Sequence, residues 1–361
     1  VSDARPDPVT VVPGPAGSEL AVAVVALPMR TRFRGITVRE TLLLRRADDL
    51  GDTAAPWGEF CPFTEYDDDE AVPWLRCALE SAGLLGAPWP APRRASVPVN
   101  ATVPAVGPAQ AHRIVVASGA GTAKVKVAER GQDPAEDLAR VEAVRDALGP
   151  AGRVRVDANA GWDVDAAVAA ITTLDRAAGG LEYVEQPCPT VEELAAVRRR
   201  VDVPVAADES IRRAGDPMRV VAAQAADVAV VKVAPLGGIA ASLRIAEAIG
   251  LPCVVSSAVE SSVGLAAGLA LAGALPELPH ACGLATTSLL AADTVAPGDA
   301  VVPVGGAIAV PTAPPPVPVA ALAEHAASPD RASWWLDRLR RVLRRVDDGV
   351  PTDPGAVDAV R

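Results

Sequence analysis

Residues 123–127 read Ala123-Lys124-Val125-Lys126-Val127, and residues 153–157 read Arg153-Val154-Arg155-Val156-Asp157. In an extended strand, successive side chains point to opposite faces. The valines of each run therefore share one face and the ionisable residues share the other. Three more runs, Leu181–Glu185, Pro204–Asp208 and Val228–Lys232, also end on an ionisable residue. Positions 126, 157, 185, 208 and 232 follow one another at intervals of 31, 28, 23 and 24 residues, each about one strand–helix unit. With Ser96–Asn100 before them and Cys253–Ser256 and Ala281–Ala285 after, the chain carries eight candidate strands.

Helix starts fill the gaps. Asp133-Pro134 with Glu136 reads as an N-cap, a first-turn proline and a capping box. Thr190 with Glu193 reads the same way, and Asp216-Pro217 is a third start. Strands alternating with helices predict a parallel sheet, and eight units predict a closed barrel with active residues at the strand C-termini. A doubly wound open sheet is the rival. Gly119-x-Gly121 precedes a strand instead of opening a helix, which is the wrong context for a dinucleotide site.

Outside this region the pattern changes. Residues 1–92 mix strand-like runs, Leu20–Leu27 and Ile36–Leu44, with a helical stretch at 71–85, and are expected to form a capping domain. Residues 93–290 are expected to form the barrel. Residues 291–361 should return to the cap through the proline-rich stretch 311–318. They end in an amphipathic helix, where Trp335, Leu336, Leu339, Leu343 and Val346 lie at helical spacing between arginines.

The 361 residues carry a formal net charge of −11, which argues against a nucleic-acid surface. No run reaches the ~18 apolar residues that would span a membrane. The five cysteines form no paired motif, as expected of reduced thiols in a cytoplasmic protein. A monomer is expected.

Lysine usage is more informative. The chain has 31 arginines but only three lysines: Lys124, Lys126 and Lys232. Arginine stays protonated in proteins, whereas a lysine can become a base. Facing Lys124 and Lys126 into a barrel is costly for a purely structural protein, but useful for chemistry because like charge and desolvation both ease deprotonation. Asp157, Glu185 and Asp208 at the same rim would repel one another unless a cation lay between them. Three hard oxygen donors suit Mg²⁺, and three scattered histidines do not suit zinc. A metal flanked by amines suits proton removal next to a carboxylate, where negative charge builds on oxygen.

With Lys124-x-Lys126, Asp157-x-Asn159, Glu185-Gln186-Pro187, Asp208-Glu209-Ser210 and Lys232 in this order, the chain resembles the enolase superfamily, in the muconate-lactonizing-type subgroup. The resemblance implies a (β/α)7β TIM-like barrel with an α+β capping domain. It implies Asp157, Glu185 and Asp208 as ligands of Mg²⁺, for which Mn²⁺ can substitute. Lys126 would be the acid/base on one substrate face, with Lys232 on the other. Residues 26–36, Trp57-Gly58-Glu59-Phe60 and Val97-Pro98-Val99-Asn100-Ala101-Thr102 are similar, more narrowly, to the o-succinylbenzoate synthase family of menaquinone biosynthesis. That likeness implies a small carboxylate substrate, 2-succinyl-6-hydroxy-2,4-cyclohexadiene-1-carboxylate, and a lyase that dehydrates it. Lys126 would remove the ring proton, and Lys232 would stabilise the intermediate, through its charge or over its π face.

Supporting roles follow from position. Lys124 is expected to lower the pKa of Lys126 and to touch the substrate carboxylate. Arg155 is read either as a carboxylate contact or as an ion-pair partner of a metal ligand. Asn159 is expected beside the metal ligands. Ser256, Ser257 and Ser262 are read either as substrate contacts or as helix caps. Arg30, Arg32 and Arg34 either close over the site or stay exposed. Two facing lysines would also serve an N-succinyl or N-acyl amino acid racemase or a muconate-type cycloisomerase. The expected eighth strand, 281–285, has no acid to grip the amine of a dipeptide. A barrel that only binds is the reading from another class.

Overall fold

A computed structural model of the chain describes residues 8–33, 35–86, 88–212 and 217–347. Arg34 and Asp216 lie outside the described residues. Four antiparallel strands open the chain: β1 (Thr10–Pro13), β2 (Glu19–Phe33), β3 (Ile36–Arg46) and β4 (Gly58–Phe60). The long β2–β3 hairpin carries Phe33 at its tip, paired with Ile36. Helix α1 (Asp68–Ser81) starts at a capping box made by Asp67 and Glu70 and buries Trp74, Leu75 and Leu79.

Two short strands, β5 (Ser96–Pro98) and β6 (Ala101–Val103), lead into the repeating units. These are α2 (Pro108–Ser118), β7 (Thr122–Lys126), α3 (Pro134–Leu148), β8 (Arg153–Asp157), α4 (Val164–Ala178), β9 (Leu181–Glu185), α5 (Val191–Arg198), β10 (Val205–Ala207), α6 (Glu209–Arg212), α7 (Met218–Ala222), β11 (Val228–Lys232), α8 (Ile239–Ile249), β12 (Cys253–Ser256) and α9 (Ser262–Ala274). Strands β6 to β12 form one sheet in sequential order, every pair parallel. Cys282 and Gly283 join its two edges. Cys282 bridges to Val99 and Gly283 to Ser256, both in parallel sense, so the sheet closes. The result is a TIM-like (β/α)7β barrel with a strand-rich cap, not an open doubly wound sheet.

The first barrel strand is a correction. Ser96–Asn100 was expected to fill that place, yet β5 pairs antiparallel with β13 (Ala307–Ala309) on the outside, and β6 lines up with β7. Both runs are short and apolar, and only the partner separates them. Asp133/Glu136 and Thr190/Glu193 do form capping boxes. The chain continues past β13 into α10 (Val319–Glu324) and α11 (Pro329–Asp347). Helix α11 buries Trp335, Leu339 and Val342. Its arginines pair with the cap, Arg341 and Arg345 with Asp68 and Arg331 with Glu40.

Alternation along the strands sorts the side chains as expected. Val125, Val154 and Val156 join the large cluster shared with the surrounding helices. Tyr183, Ala206, Val228, Val230 and Val254 form a separate cluster inside the ring. Above that plug, toward the strand C-termini, sit the charged residues.

Candidate active site

Register places the charges. Lys126 is paired in the sheet with Asp157, and Asp157 with Glu185. Lys232 is paired with Ser256 on the other side. Five neighbouring strands thus bring Lys126, Asp157, Glu185, Asp208 and Lys232 to one rim, all of them buried.

The amines and acids interlock. Lys124 Nζ donates to both oxygens of Glu185, at 2.9 and 3.0 Å, and lies 3.3 Å from Asp157 Oδ2. Lys126 Nζ donates to Asp157 Oδ2 and, at 2.7 Å, to Asn159 Oδ1. Lys232 Nζ donates to Asp208 Oδ2 at 2.6 Å, while Arg212 Nε reaches Asp208 Oδ1 at 3.0 Å. All three lysines of the chain line one cavity, together with Asn159, Ser256, Ser257 and Phe33 from the β2–β3 tip. Lys126 stands 5.4 Å from the centroid of the Phe33 ring, a cation–π distance.

Backbone strain accompanies these positions. Asn159, Ala160 and Gln186 all have positive φ, a conformation that non-glycine residues seldom adopt and that clusters at functional sites. Gln186 is fully buried and braces the adjoining loop. Its Oε1 accepts from the N–H groups of Asp208 and Ser210, and its Nε2 donates to Cys188 O and Ser210 Oγ.

Electrostatics separates the acids. Burial disfavours the charged form of Asp157, but Lys126 and Lys124 override it and hold the carboxyl well below its usual range. Asp208 is likewise held low, by Arg212 and Lys232 against burial. Glu185 goes the other way. Burial, then repulsion from Asp157, pushes it up to about 7 in spite of Lys124. Asp157 and Asp208 are therefore held ionised, and Glu185 is the acid of the three most readily protonated. Among the described residues no three acid, imidazole or thiol groups converge on a common point, because ammonium groups take the inner carboxylate oxygens. The donor set itself, three carboxylates on adjacent strands with one strained by its neighbours' charge, fits a hard divalent cation.

That strain has a measurable consequence. Glu185 titrates near 7 when folded, against an ordinary value of 4.5. Between those values the folded chain binds more protons than the unfolded one, so stability falls as pH rises through the window. The melting temperature in EDTA should drop across that interval, and a divalent cation should restore it most at the upper end. A melting temperature that climbs throughout would contradict the assignment.

Two expected contacts are absent from the pocket. Arg155 is fully buried in the barrel plug, where it pairs with Glu182 at 2.6 Å and donates to Tyr183 Oη and Ala281 O at 2.8 Å. It is level in the sheet with Lys124, which does line the cavity, but its guanidinium is taken up by these partners, and its acid partner is not one of the three. Ser262 opens α9 and donates to Asp293 Oδ2 at 2.5 Å, tying down a later loop. Ser261 is the N-cap. Ser256 and Ser257 do line the cavity, with Ser257 Oγ 2.6 Å from Thr286 Oγ1. Arg30 and Arg32 are exposed, on a strand instead of a loop, and Arg32 flanks a polar vestibule beside Lys126. Arg212 was overlooked, although it stands four residues beyond Asp208 on the same helical face.

Residues 108–314 match the model of the enolase C-terminal domain-like family, and residues 24–82 match that of the enolase N-terminal domain-like family. The o-succinylbenzoate synthase of Thermobifida fusca is 65% identical over 79% of this chain and 86% of its own length. The chain belongs to the o-succinylbenzoate synthase family of the enolase superfamily. A second family member, from Mycolicibacterium smegmatis, is 57% identical over 88% of this chain and 93% of its own. Among solved structures, the muconate lactonizing enzyme of Pseudomonas fluorescens superposes with a TM-score of 0.72 at 21% identity, covering 89% of this chain and 100% of its own. At that identity the likeness bears on the fold alone.

Proposed function

We propose that this chain is a Mg²⁺-dependent lyase. It converts 2-succinyl-6-hydroxy-2,4-cyclohexadiene-1-carboxylate to o-succinylbenzoate and water, with Lys126 as acid/base and Lys232 opposite. What carries the reading is one arrangement, Lys126 and Lys232 lining a single cavity beside three strand-end carboxylates. The 65% identical relative supports the choice of substrate. Enolase-superfamily sites pair a lysine or histidine base with Mg²⁺. Asp157, Glu185 and Asp208 would hold it, and when bound it supplies positive charge to offset the charge that gathers on the substrate carboxylate.

The chain's own groups do the rest. Lys126 reacts as the free amine and takes the ring proton next to the carboxylate. The electron pair shifts into the ring as the neighbouring carbon–oxygen bond breaks. Lys126, now an ammonium, returns its proton to the departing hydroxide, and water leaves. One amine can serve both steps because both groups depart from one face. Lys232 stays protonated and stabilises charge from the other side. Lys124 holds Glu185 and Asp157 in place, and Asn159 fixes the Lys126 tip. Phe33 and the turn after β12 form part of the cavity wall. We place the reaction in the cytoplasm and take 1–92, 93–290 and 291–361 as cap, barrel and returning segment. The five buried free thiols suit a reducing compartment, and among the described residues no helix is long and apolar enough to cross a membrane.

The test is direct. Purified protein with Mg²⁺ should consume the cyclohexadiene and release o-succinylbenzoate. No turnover with metal present, or racemisation of N-succinyl amino acids alone, would overturn the reading.

A further inference from the structure

The turn after β12 is bent in a way its sequence does not favour. Val259 has φ +65°, the left-handed region that β-branched residues avoid most strongly. Ser257, Ala258 and Val259 nevertheless line the cavity. Within the turn, Glu260 Oε2 accepts from Ala258 N at 2.7 Å, and further contacts come from outside it.

Two buried charges of the cap sheet reach it. Arg39, on β3, donates from Nε to Val259 O at 3.2 Å and from Nη2 to Ala258 O at 3.2 Å. The same guanidinium donates to Cys61 O and lies 4.6 Å from the centroid of Phe63, so it cannot swing away. Glu59, on β4, grips the other end. Its carboxylate accepts from Ser261 N at 3.0 Å, Ser261 Oγ at 2.6 Å and Gly264 N at 2.8 Å. A Cβ at residue 264 would stand 2.8 Å from Glu59 Oε2, so glycine allows the approach. Arg39 and Glu59 are each 3% exposed, and neither lines the cavity.

We propose that Arg39 and Glu59 are positioning residues that clamp the strained 257–261 turn into a pocket wall, so that cap residues out of reach of the substrate set its affinity. A cation bridging two successive carbonyls and an anion on the following amides fix both ends of the turn. Without the clamp, Val259 returns to an ordinary conformation and the binding-competent wall becomes a minor state. Apparent affinity then falls by the fraction still competent, while bound substrate reacts at its usual rate. The inference rests on the dehydration proposed above for its kinetic readout, but not for its structural one.

Arg39→Met should raise KM about tenfold, equivalent to about 1.4 kcal/mol, with little change in kcat. Arg39→Lys should recover part of the loss, since one ammonium keeps the charge but cannot bridge both carbonyls. A lower melting temperature with an unchanged KM would reduce Arg39 to a packing residue and overturn the proposal. Should Arg39→Met fail to fold, Glu59→Gln tests the other end. A raised KM supports the clamp, and an unchanged KM overturns it. Amide hydrogen exchange needs no turnover. Arg39→Met should speed exchange across 257–264 while α3 and α4 keep their protection, and unchanged exchange there overturns the clamp even if the wild-type chain proves inactive on this substrate.

Discussion

Lys126→Ala should abolish dehydration while the barrel stays folded. General acid–base groups typically contribute 10²–10⁴-fold, and here one amine is asked to act twice, so a fall in kcat of at least about 10³ is expected. The fold should survive because Asp157 keeps a second ammonium, that of Lys124 at 3.3 Å. Circular dichroism and the melting temperature check the fold, and calorimetry with o-succinylbenzoate checks that the pocket still binds. A variant retaining a tenth of the wild-type kcat would remove Lys126 from the mechanism.

Asp208→Asn should be nearly as damaging, by another route. The carboxylate faces Lys232 on one oxygen and Arg212 on the other. Asparagine keeps the shape but loses the charge, so the proposed metal site would lose one of three hard ligands, and two buried cations lose part of their balance. Loss of one well-placed electrostatic stabiliser costs about 10²–10³ in rate. Breaking a buried ion pair costs about 3–5 kcal/mol of stability, softened here because Glu209 still pairs with Arg212. The distinctive readout is metal linkage. Mg²⁺ should raise the melting temperature of the wild-type chain far more than that of the variant, and an equal rise in both would mean that Asp208 is not a ligand.

Much of this site was legible because it repeats. One ionisable residue at each strand end, one strand per βα unit, leaves a periodic trace, and the barrel turns that period into proximity. The three lysines stood out against 31 arginines, and all three meet in one cavity. Which side chain reaches the cavity was not legible. Lys124 and Arg155 are level in register, yet one lines the pocket and the other is taken up by Glu182 and Tyr183. Nor was partnership across the fold. Arg39 meets Val259 over 220 positions, and nothing in the spacing of either marks it. Ser261 and Ser262 looked equivalent until the helix start chose between them. The two short apolar runs near residue 100 could be told apart only by the strands beside them.

Among the described residues, Cys282 and Gly283 bridge the two edges of the ring. A Cβ at residue 283 would stand 2.4 Å from Ser256 Oγ, so even a methyl group would have to displace that hydroxyl. The thinnest stave thus has no spare room. Any side chain at 283 would press on Ser256, which shares the cavity wall with all three lysines, so closure of the ring and the shape of the chamber depend on the same small residue.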